Sequence, residues 1–116
     1  MPTQRFEGSL AAATSIANVL AGTKFENLPF AAAIQVFAVQ DGADPGALIL
    51  DMTMGNAIEV DGAAVPTYTA NLGPDTDKHR IGAGVAAPFD RVQLKLTNND
   101  AANAAAYRIL VDIRRI

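Results

Sequence analysis

The fold is decided by the C-terminal stretch DRVQLKLTNNDAANAAAYRILVDIRRI, residues 90–116. Apolar and polar residues alternate in two runs separated by NNDAAN (98–103), which is rich in turn-forming residues. The apolar positions are Val92, Leu94 and Leu96 in the first run and Tyr107, Ile109, Val111 and Ile113 in the second. A period of two puts one face of a β-strand against a core. The stretch therefore predicts two strands, either as a β-hairpin or joined by a short loop.

The same alternation occurs in the middle of the chain. AIQVFAVQ (33–40) and ALILDMTM (47–54) are predicted strands, separated by the turn-rich DGADPG. Gly55-Asn56 and Asp61-Gly62 each predict a tight turn or bulge, and an Asp-Gly pair between alternating residues favours a hairpin. Residues 73–88, GPDTDKHRIGAGVAAP, predict a long exposed loop.

The first thirty residues fit two interpretations. SLAAATSIANVLAG (9–22) could form a helix that Ser9 caps and Gly22 ends. It could also form a strand with Ile16 and Leu20 on one side. Because the predicted elements downstream are all strands, a strand over residues 14–22 is favoured.

Length and pattern together predict a single domain over residues 1–116. A chain of 116 residues is one domain by length and can bury a sizeable core. It has no cysteine, so neither disulfides nor thiolate metal sites contribute. About seven or eight short strands with turn-rich connections predict an all-β protein, a β-sandwich of the jelly-roll type.

Charge and hydropathy limit the classes of partner. A net charge of −3 argues against a broad nucleic-acid surface. No apolar run reaches the ~18 residues that a membrane span needs, and the N-terminus does not resemble a signal peptide. Charged residues make up 18% of the chain, where about a quarter is usual. The shortfall favours a surface that partner proteins cover.

No group of residues predicts an enzyme, a metal site or a cofactor. Asp75, Asp77 and His79 could converge on a metal, but three residues in a polar loop are better explained as a solvated segment. The serines lie outside any nucleophile motif. GAG (82–84) lacks the third glycine of a dinucleotide-binding loop. We therefore expect no catalytic residue, no metal and no cofactor.

Two parts of the chain resemble small virion proteins of tailed and other bacterial viruses. NVLAGTKFENLPF (18–30) is similar to a "vLaG..fE.LPf" run that leads into the first core strands of such proteins. The C-terminal pair of runs is similar to their closing strands. The matching positions are Asn18, Leu20, Gly22, Phe25, Glu26, Leu28, Pro29, Leu94, Asn98, Tyr107 and Ile113. The resemblance implies a jelly-roll-like structural protein located in the virion, which assembles in the host cytoplasm.

The resemblance and the apolar character of 18–30 predict an interface there. The candidate interface residues are Lys24, Phe25, Glu26, Leu28, Pro29, Phe30, Arg114 and Arg115. Lys24 and Glu26 would share a face, either paired with neighbours or bridging subunits. The two C-terminal arginines could contact an acidic partner or only protect an exposed strand end. Expected partners are copies of the chain, in a trimer or pentamer, and a major capsid protein.

Three functions remain open at this point. The first is a decoration (cement) or minor capsid protein that acts through self-association and capsid contacts. The second is the small jelly-roll coat protein itself. The third is a small-molecule or glycan-binding module whose site would be the 73–88 loop, near Tyr68.

Overall fold

The computed structural model describes residues 3–23, 26–44, 46–67 and 80–116. These residues form eight strands and no helix, so none of them lies in a helix that could span a membrane. The strands are β1 (Thr3–Leu10), β2 (Ser15–Ile16), β3 (Ala32–Asp41), β4 (Leu48–Met54), β5 (Ala57–Ala64), β6 (Arg80–Ala86), β7 (Val92–Asn98) and β8 (Ala105–Arg115). The predicted all-β class is confirmed.

The strands form two four-stranded antiparallel sheets. The first sheet has the order β1-β8-β3-β6 and the second has the order β2-β7-β4-β5. Apart from the β4–β5 pair, each strand is followed in the chain by a strand of the other sheet. Eight strands wound in this way across two facing sheets form a jelly roll, as predicted.

The two C-terminal strands lie in different sheets. β7 pairs with β2 and β4, whereas β8 pairs with β1 and β3. The hairpin interpretation of residues 90–116 is therefore wrong, and the alternative, two strands joined by a short loop, is correct. Both strands are central in their sheets, and the inner residues of both pack in one core.

Alternating side chains of the four central strands form the core. They are fully buried at Ile34 and Val36 of β3, Leu48, Leu50 and Met52 of β4, Leu94 and Leu96 of β7, and Ile109 and Ile113 of β8. Burying one such side chain contributes about 1.5–3 kcal/mol to folding. Gln40 of β3 and Asn98 of β7 are polar exceptions, and the amide of Gln40 exchanges two hydrogen bonds with the backbone of Ala43, at 3.2 and 3.3 Å. A polar group can remain buried when it is paired in this way.

The first strand, β1, was not predicted from the sequence. It pairs with β8 over its whole length, from Thr3 opposite Asp112 to Leu10 opposite Ala105. Ser9 lies in this strand and does not cap a helix. Gly8 interrupts the alternation of apolar and polar side chains along this strand. A Cβ atom at residue 8 would lie 2.8 Å from the hydroxyl of Tyr107. The ring of the neighbouring strand occupies the space that a side chain at residue 8 would need.

The strand predicted over residues 14–22 is limited to Ser15–Ile16, and the remainder forms bends and turns. The side chain of Asn18 explains why the ladder stops. Its Oδ1 accepts hydrogen bonds from the backbone N–H groups of Leu20 and Leu94, both at 3.0 Å. Its Nδ2 donates to the carbonyl of Val92 at 3.3 Å. One buried amide thus replaces ladder hydrogen bonds between this segment and β7.

The two turn dipeptides near β5 have different roles. Gly55 and Asn56 form the predicted tight turn of the β4–β5 hairpin, with φ +60° at Gly55. Asp61 and Gly62 lie inside β5, where the register shifts between Leu50 and Met52 of β4. The hairpin favoured at Asp61-Gly62 is therefore wrong, and the bulge alternative is correct. Gly62 takes φ +71° and donates its N–H to Asp51 Oδ1 at 2.6 Å.

The loop predicted over residues 73–88 is wrong for Arg80–Ala86, which form β6. Residues 73–79 lie outside the described part of the chain. The glycines that suggested a loop allow the two sheets to approach each other. A Cβ atom at Gly82 would lie 2.6 Å from Val60 Cγ2, and one at Gly84 would lie 2.9 Å from Glu59 Cδ. β6 thus packs against β5 at one side of the sandwich.

We expect Gly82→Ala to destabilise the fold by about 1–3 kcal/mol, because its methyl group would overlap Val60 and press on Met52. In a Val60→Ala background the added cost should fall by about 1 kcal/mol or more. Urea unfolding of the four proteins of this cycle measures both values. Gly84→Ala is the matched control, with a smaller effect because the side chain of exposed Glu59 can move. An equal cost in both backgrounds would contradict the close approach of β5 and β6.

Candidate functional site

Four large hydrophobic side chains are mostly exposed in the described part of the chain. They are Ile58 (69%), Val85 (60%), Phe89 (70%) and Ile116 (72%). A single exposed apolar side chain is ordinary, but a group in one region marks an interaction surface. The backbone places all four at the end of the sandwich where β3 begins, which we call the apolar end.

Backbone pairing fixes these positions. Val85 stands opposite Ala33, near the start of β3 and the end of β6. Ile116 donates its N–H to the carbonyl of Ala31 at 3.0 Å. Phe89 donates its N–H to the carbonyl of Leu28 at 2.7 Å. Ile58 follows the β4–β5 turn, which is held against the 87–91 connection by a 2.9 Å hydrogen bond from Gly55 to Arg91.

Phe89 is held in an unfavourable backbone conformation. Its φ of +65° lies in the left-handed region, which residues other than glycine, asparagine and aspartate rarely adopt. Besides the bond from its N–H to Leu28, its carbonyl accepts a hydrogen bond from Asn27 Nδ2 at 3.3 Å. Strain of this kind costs about 1–3 kcal/mol and persists where the surrounding structure imposes it. The result is an aromatic ring presented to the outside on a fixed backbone.

Phe30 and Arg115, predicted from distant parts of the sequence, meet at the apolar end. The guanidinium of Arg115 lies over the Phe30 ring, 5.1 Å from its centroid. A cation–π contact at an exposed site contributes about 0.5–1 kcal/mol. The neighbouring Arg114 is exposed and pairs with Asp112 at 3.3 Å. Pro29 is exposed beside them, in the backbone that precedes β3.

The other predicted interface residues have different positions. Glu26 accepts hydrogen bonds from Arg91 Nε and Asn18 Nδ2, both at 3.0 Å, so its contacts are within the chain. The Arg91 hydrogen bond is the main reason that the pKa of Glu26 lies below its usual value. Leu28 is only 6% exposed and belongs to the core. Lys24 and Phe25 lie outside the described residues.

Sequence reasoning did not find Ile58, Val85, Phe89 or Ile116. Val85 was assigned to a loop, because the β6 glycines resemble loop glycines. The one indication of this surface in the sequence is Phe89, an isolated aromatic residue between Pro88 and Asp90. A large apolar residue in a turn needs something to cover it. Nothing in the sequence indicates that these four positions share one end.

The opposite end of the sandwich is polar and internally paired. Asp100 is buried, and its carboxylate accepts hydrogen bonds at 2.9 Å from the N–H groups of Asp44, Ala102 and Asn103. These donors, first that of Ala102, lower the pKa of Asp100 from 3.8 to about 2. Asn98 joins the same network, because it accepts from the N–H of Asp100 at 3.0 Å. The network holds the β3–β4 and β7–β8 loops together.

A shallow depression of about 330 Å³ lies at the polar end, lined by residues 13–15, 97–99 and 101. Its lining residues are small or polar, whereas ligand pockets are mostly lined by apolar and aromatic groups. The described residues contain no cluster of three or more His, Cys, Asp or Glu side chains that could hold a metal. Asp75, Asp77, His79 and Tyr68 lie outside them, so the metal and glycan-loop interpretations are not tested by this geometry.

No family model matches the chain, and no curated protein matches it.

We expect Asp100 to make stability depend on pH. The folded pKa lies below the ordinary value, so its contribution is complete above about pH 4 and is lost as the pH falls toward 2. Asp100→Asn should unfold at a lower urea concentration than wild type at pH 7, and the difference should shrink toward pH 2. Asp41→Asn, at an exposed position, is the matched control. A difference that stays constant from pH 7 to pH 2 would contradict the role given to the carboxylate.

Proposed function

We propose that the chain is a structural protein of a virus particle, a decoration (cement) or minor capsid protein of a bacterial virus, without catalytic activity. The observation that carries the proposal is that the exposed side chains of Ile58, Val85, Phe89 and Ile116 all lie at one end of a jelly-roll sandwich. An end of this kind supports association with another protein surface.

The fold and the sequence resemblance support this proposal together. The jelly roll is an architecture of viral capsid domains, although it also occurs in lectins and enzymes. The fold alone is therefore insufficient. The run NVLAGTKFENLPF, which resembles bacterial-virus virion proteins, leads directly into the apolar end through Leu28, Pro29 and Phe30. The segment that carries the resemblance is thus the segment that supports Phe89 and Arg115.

The apolar end has the features of a binding surface with a fixed anchor. Interfaces gain most of their free energy from a few aromatic and arginine side chains. Phe89 supplies an exposed aromatic ring on a backbone held at both its N–H and its carbonyl. Arg115 supplies a guanidinium already oriented by Phe30. Side chains that are ordered before binding lose less entropy when they bind.

The proposed partners are copies of the chain and a major capsid protein. Closed rings, trimers or pentamers, would place the apolar ends around one symmetry axis. The coat-protein alternative differs only in that the chain would build the shell instead of attaching to it. In either case the protein would be located in the virion.

Phe89→Asn should keep the fold and weaken assembly. Asparagine tolerates the left-handed conformation, so folded stability should remain within about 1 kcal/mol of wild type or rise. Loss of the exposed ring should shift a closed oligomer toward smaller species by at least about tenfold in dissociation constant. Light scattering after size-exclusion chromatography measures this shift, and negative-stain microscopy shows whether rings or shells form.

Ala101→Asn is the matched control, because it adds the same polar group at an exposed position of the polar end. It should assemble like wild type. Assembly of Phe89→Asn at the wild-type concentration would contradict a role for the apolar end. A wild-type chain that forms no ring or shell and binds glycans in solution would instead favour the ligand-binding alternative.

A further inference from the structure

The two sheets have four edge strands, and these differ in how well they could pair with another chain. β2 has only two residues, and β5 contains two shifts in its register with β4. The register between β6 and β3 shifts between Val36 and Phe37. β1 pairs with β8 over eight consecutive residues without a shift. Bulges and short strands protect edges from pairing, so β1 is the one regular edge among the described strands.

The side chains of β1 have a self-complementary order. Phe6 is half-buried against the core, and the flanking Arg5 and Glu7 are exposed on the other face. Within the first sheet Glu7 stands opposite Arg108, but Arg5 stands opposite Leu110. Arg5 therefore has no carboxylate directly opposite it in β8. The carboxylate of Glu7 lies two residues away along β1, on the same face.

We infer that β1 pairs antiparallel with β1 of a second copy of this chain, about a two-fold axis at Phe6. Residues related by this axis have numbers that add to twelve, so Arg5 of one copy stands opposite Glu7 of the other, and the reverse pair is identical. Opposite charges at directly opposed positions stabilise a sheet. The charge order of β1 matches a second copy of itself.

The same pairing would also bring together Phe6 and the outer backbone groups of the two β1 strands. The two Phe6 side chains meet on the inner face, as an aromatic cross-strand pair next to both cores. The N–H and C=O groups of β1 that face away from β8 would pair with those of the second copy, and the two four-stranded sheets would become one continuous sheet. A two-fold contact of this type closes on itself, because each copy has only one β1 edge. The product is therefore a dimer and not a fibre.

This dimer is separate from the proposed function, since β1 and the apolar end are different surfaces. A chain with no role in a virus particle could still dimerise through β1. If both surfaces are used, dimers formed through β1 would link neighbouring rings formed through the apolar end.

Charge reversal on β1 tests the inference. Arg5→Glu places two acidic pairs across the two-fold axis, and Glu7→Arg places two basic pairs there. Each single variant should dimerise at least about tenfold more weakly than wild type, as measured by sedimentation equilibrium at low salt. The double variant R5E/E7R restores both opposite-charge pairs and should recover the wild-type dissociation constant. A mixture of the two single variants should form a heterodimer for the same reason.

Arg80→Glu is the matched control, because it makes the same charge change at an exposed position of β6. It should dimerise like wild type. Thermal unfolding of each variant shows whether the monomer remains folded, which matters for Glu7→Arg because residue 7 stands opposite Arg108. A monomeric wild type would overturn the inference. So would a dimer that the single variants leave unchanged, or one that R5E/E7R and the mixture fail to restore. Loss of ring assembly in Phe89→Asn with an intact β1 dimer would separate this result from the proposed function.

Discussion

The structure depends on the packing of two sheet faces whose central strands come from distant parts of the sequence. β3 and β8 in the first sheet face β4 and β7 in the second, and their inner side chains are almost completely removed from water. Most of the favourable free energy of folding comes from apolar area buried in this way. Because the central strands supply this buried apolar area, the edge strands and the ends of the sandwich can carry exposed side chains. The surfaces proposed for association are all at such positions.

The backbone groups at the two ends of the sandwich find their hydrogen-bond partners in different ways. At the polar end, Asp100 and Asn98 bond the loops to one another, and the network is complete within the chain. At the apolar end, Asn18 and Glu26 hold the long β2–β3 connection against β7. That connection then supports Phe89, whose ring remains exposed. One end is closed by its own hydrogen bonds, and the other leaves large apolar side chains exposed.

The strands that period-two alternation predicted are those with apolar side chains on one whole face. β3, β4, β7 and β8 meet this condition, and their bounds agree with the prediction within two residues. β1 and β6 were missed because glycines stand at positions where a neighbouring strand fills the space. Tyr107 fills it at Gly8, and Val60 fills it at Gly82. The identity of that neighbour depends on the order of strands in the sheets, which local alternation does not contain.

The candidate site was predictable in part for the same reason. Phe30 and Arg115 were expected at an interface, and the structure brings them into contact across the pairing of β3 and β8. Glu26 and Leu28 could not be separated from them by sequence, because burial depends on the path of the connection around Asn18. Phe89 takes a left-handed backbone conformation, which composition does not reveal.

The core is built from the side chains of one chain, and we propose that association uses the β1 edge and the apolar end. Hydrogen–deuterium exchange of the purified chain, measured at low and high protein concentration, separates the core from these two surfaces. We expect the exchange of β3, β4, β7 and β8 to be slow and independent of concentration. We also expect exchange to slow on association in β1, in residues 85–89 and in residues 114–116. Protection that appears instead in residues 11–14 and 99–104, or central strands that become protected only at high concentration, would contradict this account.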